Sequence, residues 1–346
     1  MMKKNLTSIC FSLGAASFSY AQSVAPAYSI APWFNDKKAA VSLTFDDGIS
    51  GQFAIAVPLL NQYGFTSTFF ITPGILTSQL IKDKLIADAA KAGHEIANHS
   101  LTHPHFDSIA PADITSEIIQ SNEAIKKYTR PGQSLTHAYP FGEGGQETEK
   151  GLQIRSIIKQ YFIGARATRN KVIPFNDYHF AREPDDYFKI NSDIIADSAS
   201  MAEFTTHLDA TISSGGWYVP CYHGIENGWL IVPKENFQME LQALQERKEM
   251  VWIATFENVL KYHRQRNCTK LRGTAENNDS WILELRDTLN NEATWNHPLT
   301  IHLKLNGRKV KSIRQGNKKI LFIISPNEMI FNAVPGRNKI IVTKDK

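Results

Sequence analysis

Apolar residues along the chain follow two spacings, one typical of buried strands and one typical of amphipathic helices. Short apolar runs predict strands at residues 39–45, 66–72, 95–99, 137–141, 164–168, 187–191, 217–223 and 250–256. The segments between them predict helices at residues 52–63, 80–92, 112–128, 201–212 and 235–248. This alternation indicates parallel strands joined by crossover helices, and therefore an α/β sheet or barrel.

After Arg266 the helical spacing disappears. Short alternating stretches at residues 281–286, 299–305, 320–325 and 340–343 predict strands separated by turns rich in Asn, Gly and Lys. We therefore expect a small all-β, sandwich-like domain at 267–346, either as a separate domain or as a tight appendage.

This C-terminal region is also basic. From residue 268 onward it holds 14 Lys and Arg against 7 Asp and Glu, a net charge of +7 in a chain whose total is +4. Such a surface favours acidic polysaccharide or an anionic envelope as a partner, although solvated strand faces explain the charge more simply. Nucleic acid is not expected as a partner, because no base-stacking motif accompanies the charge.

The first residues differ from the rest. Two lysines precede a weakly apolar segment at 9–18, and the three residues that end at Ala21 suit a signal peptidase. We expect a signal peptide at 1–21, a lead-in at 22–36, and export to the periplasm, the cell surface or the medium. No internal stretch is long and apolar enough to cross a bilayer, so an integral membrane protein is not expected.

The strand at 39–45 ends in two adjacent carboxylates and a glycine, Asp46-Asp47-Gly48. Neighbouring side chains on an extended backbone point in different directions, so one carboxylate can bind a cation while the other handles protons. The same triplet is also common in simple turns. The case for a site therefore depends on the other strand ends.

A histidine pair, His99 and His103, follows the third predicted strand. If this piece is helical, the two imidazoles lie on one face and can reach a single metal ion. With Asp47 they form a set of two nitrogens and one oxygen that leaves coordination positions open for water and substrate. His105 follows as a supporting or simply exposed residue.

Two further strand ends carry candidate chemistry. Pro140 fixes the backbone beside Phe141, so that a main-chain N–H can point at a developing oxyanion. His223, at the end of an apolar strand, is suited to protonate a leaving group. Tyr139, Phe141 and Trp229 are candidates for an apolar cup or a sugar-stacking face, with core packing as the alternative.

Four ordered motifs carry a family resemblance: Thr44-Phe45-Asp46-Asp47-Gly48, His99-Ser100-x-x-His103, Tyr139-Pro140-Phe141-Gly142 and Tyr222-His223-Gly224. Together they resemble the polysaccharide deacetylases of the NodB-homology type, carbohydrate esterase family 4. The resemblance covers about residues 37–265 and implies a catalytic domain at 37–266. It implies a distorted (β/α) barrel and metal-assisted hydrolysis of an acetyl group from a sugar.

The resemblance also implies roles for individual residues. The implied metal ligands are Asp47, His99 and His103, with zinc favoured and cobalt, nickel or manganese as alternatives. Asp46 would be the general base that takes a proton from the attacking water. His223 would be the general acid for the departing amine or alkoxide, and the N–H of Phe141 would help to stabilise the oxyanion.

The chain departs from the family pattern at two points. Many members carry an arginine where this chain has Ala138, and Arg166 and Arg182 are the candidates to replace it. The carboxylate that supports the acid histidine is also not evident, and three residues remain open for that role: Asp185, Asp186 and Asp193.

The function that we expect is that of an exported, metal-dependent deacetylase acting on N-acetyl or O-acetyl groups of a poly- or oligosaccharide. Two alternatives remain at this stage. One is a hydrolase of non-sugar amides on the same barrel. The other is a carbohydrate-binding protein whose catalysis has decayed, which Ala138 keeps open.

Overall fold

A computed structural model of the chain describes residues 27–76, 84–168, 175–176, 183–196, 201–276, 279–289, 291, 293–336 and 338–345. The segment expected to be a signal peptide and the candidate Arg182 lie outside these residues. The described α-helices are α1 (Val57–Tyr63), α2 (Leu85–Lys91), α3 (Pro111–Ile125), α4 (Glu149–Ile158), α5 (Met201–Ser214), α6 (Lys234–Glu246) and α7 (Phe256–Cys268). None of these described helices combines the length and the apolar character that a membrane crossing requires.

The strands that precede the C-terminal region are β1 (Tyr28–Ile30), β2 (Ala39–Val41), β3 (Thr44–Asp47), β4 (Thr68–Ile71), β5 (Glu95–Asn98), β6 (His137–Ala138), β7 (Ala165–Arg166), β8 (Phe175–Asn176), β9 (Asp193–Ile194), β10 (Trp217–Tyr218), β11 (Pro220–Tyr222) and β12 (Val251–Ile253). A parallel seven-stranded sheet has the order β7-β6-β5-β4-β3-β11-β9, and a smaller sheet has the order β12-β2-β10-β8. The expected distorted (β/α) barrel is confirmed.

The barrel is distorted because two of its expected strands are each divided into two shorter strands. The single strand expected at 39–45 is divided into β2 and β3, which belong to different sheets. The strand expected at 217–223 is divided in the same way into β10 and β11. Both breaks fall at the same level, because Ala40 pairs with Trp217 and Thr44 pairs with Cys221.

Parallel strands bring their carboxyl ends to one edge of the sheet, and this edge collects the predicted chemistry. Beneath it, Phe45 stacks on Phe69 and Tyr222 at centroid distances of 4.8 and 5.1 Å. These rings are fully buried, so the ends of β3 and β11 pack on a rigid apolar layer.

Several sequence-based boundaries were wrong. Residues 187–191 were expected to form a strand, but the chain makes a 3₁₀ turn at Asp186–Phe188 and then a single bridge from Ile190 to Arg166. Two helices, α4 and α7, were not expected. Each begins at a threonine whose side chain accepts a hydrogen bond from the first turn, Thr148 from Gly151 N–H and Thr255 from Asn258 N–H.

The C-terminal region contains the strands β13 (Thr269–Glu276), β14 (Ser280–Asp287), β15 (Leu299–Lys304), β16 (Val310–Gln315), β17 (Lys318–Ile320), β18 (Phe322–Ser325), β19 (Glu328–Ala333) and β20 (Ile340–Lys344). They form two antiparallel sheets, β13-β14-β20-β16-β17 and β1-β15-β19-β18. The lead-in contributes β1, which pairs with β15. One continuous apolar cluster runs from the barrel into these sheets, so the region packs tightly on the barrel.

Candidate metal and catalytic site

The two adjacent aspartates occupy different environments at the end of β3. Asp46 is 3% exposed, whereas Asp47 is half-buried at the cleft. The backbone turns at Asp47 with a φ of 74°, a left-handed conformation that costs energy in a non-glycine residue. The carboxylate of Asp46 is therefore buried while that of Asp47 lies at the cleft.

Asp47 lies beside both histidines of the predicted metal set. Its Oδ1 is 3.6 Å from His99 Nε2 and 3.7 Å from His103 Nε2. The ligand atoms of all three residues lie within 4.8 Å of one another. Ligands held about 2.0–2.2 Å from one zinc ion have this mutual separation, so the donor set fits a divalent cation.

The tautomer of His99 suits a metal ligand. Its Nδ1 lies 2.8 Å from the carbonyl oxygen of Ala138, which can only accept, so Nδ1 carries the hydrogen. Nε2 then keeps its lone pair, and it lies 3.6 Å from Asp47 Oδ1 and 3.8 Å from Asp46 Oδ2. A hydrogen bond of this kind orients a metal-binding imidazole and raises its basicity.

The histidine pair does not lie on a helix, and the helical arrangement considered for it was wrong. Residues 99–105 form an irregular loop in which Ser100 and His103 have φ values of 63° and 60°. The two rings nevertheless meet with centroids 4.8 Å apart. Two left-handed residues turn the loop sharply enough to bring both imidazoles to Asp47.

Glu117 of α3 holds this loop, and sequence reasoning missed it. Its Oε2 accepts hydrogen bonds from the N–H groups of Leu101 and Thr102 at 2.9 and 2.8 Å, and its Oε1 accepts from the Thr102 hydroxyl at 2.8 Å. No sequence signal distinguishes this glutamate from the other polar residues of the helix.

Arg166, one of the two candidates to replace the missing arginine, contacts Asp46. Its Nη2 donates to both carboxylate oxygens, and its Nη1 donates to Ser192 Oγ at 3.0 Å. The guanidinium also lies 5.1 Å above the ring of Phe70. Arg166 is 1% exposed, so the pair is fully removed from solvent.

The charges around this pair shift the pKa values of the site. Burial acts to raise the pKa of Asp46, but Arg166, His99 and His223 together outweigh it and hold this pKa well below its usual value. Burial and the adjacent Asp46 carboxylate raise the pKa of Asp47 to about 6. Burial lowers the pKa of His99 to about 4, so this imidazole is neutral and able to bind a cation.

His223 faces the carboxylates from the end of β11. Its ring packs edge-on against Trp229 at 4.8 Å, and Trp229 itself is 61% exposed. Burial lowers the pKa of His223, while Asp46 and Asp47 oppose that shift. Gln52, in a π-helical turn before α1, donates to the carbonyl oxygens of both Asp46 and His223 and so ties β3 to β11. Sequence reasoning missed this residue as well.

None of the three carboxylates considered as partners reaches the buried Nδ1 of His223, which has no hydrogen-bond partner among the described residues. Asp185 pairs with Arg155 and Lys159. Asp186 pairs with Lys189. Asp193 accepts from Tyr218 and lies against His207, both at the side of the barrel.

The loop after β6 carries Phe141 at the cleft. Phe141 has a φ of 54°, is 53% exposed, and stacks on His105 at a centroid distance of 3.6 Å. Glu143 orients the His105 ring, because its Oε1 lies 2.7 Å from His105 Nδ1. Pro140 is buried, and Tyr139 is 2% exposed with its hydroxyl donating to the carbonyl oxygen of Phe188.

An open cleft of about 440 Å³ connects these groups. Its polar residues are Asp46, Asp47, His99, His103, Thr168 and His223, and its other lining residues are Ile75, Tyr139, Phe141, Gly142, Ile194 and Trp229. A second trio, Asp46, Cys221 and His223, also lies within 4.8 Å. The guanidinium already bound to Asp46 makes that trio a poor cation site.

Comparison with known proteins agrees with this arrangement. Residues 35–155 match the family model described as polysaccharide deacetylase. Within this range, which is about a third of the chain, the sequence is similar to the polysaccharide deacetylases. The matched range includes β3, the histidine loop and Phe141, and excludes Arg166 and His223.

Two curated relatives of this chain are informative. The chitooligosaccharide deacetylase of Sinorhizobium fredii is 31% identical over 105 residues, which cover 30% of this chain and 47% of the relative. A gellan lyase from a Bacillus species is 24% identical over 340 residues, which cover 88% of this chain and 13% of the relative. This chain therefore spans less than half the length of either relative.

Among solved structures, the family 4 carbohydrate esterase of Streptomyces lividans in complex with acetate is 24% identical in sequence. The superposition has a TM-score of 0.41 and covers 62% of this chain and 92% of that one. The acetyl xylan esterase of Clostridium thermocellum in complex with a cobalt ion is 18% identical, with a TM-score of 0.42 and coverage of 64% and 91%.

Proposed function

We propose that this chain is an exported, metal-dependent deacetylase that hydrolyses N-acetyl or O-acetyl groups of a poly- or oligosaccharide. The observation that carries the proposal is the convergence of a cation-binding trio, an arginine-held carboxylate and a histidine on one open cleft. Similarity to the polysaccharide deacetylases supports the same reaction class.

In this proposal Asp47, His99 and His103 hold a divalent cation, with zinc favoured and cobalt, nickel or manganese able to serve. Two imidazole nitrogens and one carboxylate oxygen form a donor set that these ions accept. The bound cation supplies a Lewis acid and lowers the pKa of a water molecule to near neutrality.

Asp46 is the general base of the proposed reaction. The Arg166 guanidinium keeps its carboxylate ionised, so Asp46 is ready to accept a proton from the attacking water. A carboxylate with a strongly lowered pKa is a weak base. It suffices only because the water that it deprotonates is itself made acidic.

His223 is the proposed general acid. It lies in the same cleft as Asp46, and its exposed neighbour Trp229 covers one side of its ring. Its role is to donate a proton to the departing amine or sugar oxygen. The left-handed backbone at Phe141 suits an N–H that stabilises the oxyanion, while the ring of Phe141 and Trp229 supply apolar surface for the acetyl methyl or a sugar ring.

Acetate release by the purified mature protein tests the proposal. The substrates are a panel that includes acetylated xylan, chitooligosaccharide and a small cyclic amide, each before chelation, after chelation and after zinc is restored. We expect release from one glycan class that chelation abolishes and zinc restores. Release from the cyclic amide alone would move the assignment to a non-sugar amide hydrolase, and no release with metal bound stoichiometrically would indicate a binding protein.

Export is proposed from the sequence of the first 21 residues. Expression of the full chain in a bacterial host, followed by N-terminal sequencing of the extracytoplasmic fraction, tests it. A mature protein that begins at Gln22 is the expected result, and full-length protein retained in the cytoplasm would contradict it.

A further inference from the structure

The five-stranded sheet of the C-terminal region places charged side chains on one face. Leu271 pairs with Leu285 and Ile313 pairs with Ile320, and all four are buried. Side chains alternate along a strand, so the residues between them point to the opposite, solvent-exposed side. We call this outer surface the cationic face, and define it by five exposed residues: Lys270, Arg272, Arg286, Arg314 and Lys319.

The strand register brings like charges together on the cationic face. Lys270 is directly opposite Arg286, and Arg314 is directly opposite Lys319. Like charges in directly opposed positions destabilise an antiparallel sheet. A third cross-strand pair of this face, Arg272 opposite Glu284, joins opposite charges. Folding gives no reason for the two like-charge pairs, whereas a ligand with repeated negative charges would relieve their repulsion.

Among the described residues, only Arg286 of these five cations has a carboxylate partner. Glu284 is the acidic neighbour on β14, and it already pairs with Arg286 at 2.7 Å and with Lys339 at 3.7 Å. Within the part of the chain that the structure describes, Lys270 and Lys319 have no carboxylate at ion-pairing distance. The same holds for Arg272 and Arg314 in these described ranges.

The other sheet of the sandwich shows the contrast. There His302 lies between Asp36 and Glu328 at 2.9 and 3.2 Å, and Lys304 also pairs with Glu328. The cation Lys304 on that sheet is thus paired with an acid of the protein itself. Unpaired positive charge is thus a property of the cationic face and not of all strands in this region.

We propose that the cationic face binds an acidic polysaccharide through the carboxylate groups of its sugar units. Adjacent strands lie about 4.8 Å apart, so the five strands from β13 to β17 span about 19 Å. Cations at intervals across such a width match an extended chain with repeated charges. The proposal goes beyond the deacetylase function, because it concerns binding at a surface that contributes no residue to the catalytic cleft.

Two other polyanions fit this face less well. A membrane-binding surface needs large apolar side chains beside its cations, and the outer side of this sheet offers the half-buried Ile282 and the 40% exposed Ile341. More exposed apolar residues, Leu321, Ile323 and Ile324, follow β17, but Ile323 and Ile324 belong to β18, which pairs in the other sheet. A single-stranded nucleic acid needs exposed aromatic rings for stacking, and Trp281 of β14 is 1% exposed and points into the core.

Native affinity electrophoresis of the full purified chain tests the proposal. One gel contains polygalacturonate and the other contains the same polymer after complete methyl esterification, which removes its charge. The test variant is Arg314→Gln with Lys319→Gln. The matched control is Lys126→Gln with Lys127→Gln, which removes the same charge from an exposed turn after α3.

We expect retardation by polygalacturonate alone, weakened by salt, with about tenfold lower affinity in the test variant and an unchanged affinity in the control. Lys319→Gln alone should leave the melting temperature unchanged or raise it, because it relieves a like-charge pair. Equal losses in both double variants would overturn the proposal, since simple net charge would then explain binding. Failure to bind polygalacturonate, including a case in which only phosphatidylglycerol vesicles bind, would also overturn it.

Discussion

Replacement of Arg166 by methionine gives the sharpest test of how the candidate base is held. The substitution keeps most of the side-chain volume and removes the guanidinium that contacts both oxygens of Asp46. Both residues are almost fully buried. Removal of one partner from a buried ion pair costs about 3–5 kcal/mol of folding free energy, because the remaining charge is left unpaired.

The double variant makes the reasoning quantitative. Asp46→Asn alone leaves Arg166 buried and unpaired, so it should also cost about 3–5 kcal/mol. Arg166→Met with Asp46→Asn leaves no buried charge at this pair, and we expect it to be more stable than either single variant. Urea unfolding of all four metal-free proteins gives the coupling free energy.

The rate of acetate release can be measured for the same four proteins of this double-mutant cycle. Arg166→Met should lower the rate of acetate release at least about 100-fold, because the unpaired Asp46 becomes protonated and the base is lost. In the Asp46→Asn background the same change should have little further effect. Additive losses of stability, or a rate in Arg166→Met within threefold of the parent, would refute the reasoning.

Three further outcomes are expected. Asp46→Asn should abolish turnover and retain the metal, whereas His103→Ala should lose the metal, as measured by metal content after dialysis. Burial raises the pKa of Glu240 to about 8, so the native state holds a proton that the unfolded state releases above about pH 4.5. The contribution of Glu240 to the free energy of unfolding should therefore fall as the pH rises from 4.5 to 8, by about 1.4 kcal/mol per pH unit and about 5 kcal/mol in all. Glu240→Gln should remove this contribution, so that the parent loses more stability than the variant across this range in urea unfolding at several pH values; the same pH dependence in both proteins would contradict the assignment. Trp229→Ala should raise KM about tenfold with a smaller effect on kcat, because this ring is 61% exposed at the cleft and is proposed to contact the sugar; an unchanged KM in steady-state kinetics would contradict that role.

Much of the architecture follows from local pattern alone. The apolar runs that become β3, β4, β5 and β11 are fully or almost fully buried, so their hydrophobicity carries the assignment. The run at 187–191 looks similar in composition but is a turn, because Tyr187 and Phe188 fill the core from a 3₁₀ segment. Apolar periodicity indicates which residues are buried. Over only five residues it does not distinguish a strand from a buried turn.

The residues that support the site could not be predicted from the sequence, for a different reason. Gln52, Glu117 and Glu143 act through hydrogen bonds to backbone or side-chain groups that are 6 to 171 positions away. Nothing in their local sequence marks them as different from solvent-exposed polar residues. Their importance depends on long-range geometry, in particular on left-handed turns such as that at His103, which place donors where a carboxylate can receive them.

The arginine that holds Asp46 shows how an apparent loss in sequence is compensated in space. Ala138 of β6, the position at which the family resemblance implies an arginine, is the direct register partner of Arg166 on β7. Register partners on parallel strands project to the same face about 4.8 Å apart, a distance that the long side chain of arginine spans easily. An alanine at 138 leaves the neighbouring position unobstructed, so the guanidinium approaches the same carboxylate from one strand further away. A comparison of motifs along the sequence therefore finds no arginine at position 138. In the structure, the pairing of β6 with β7 still places a positive charge beside the general base Asp46.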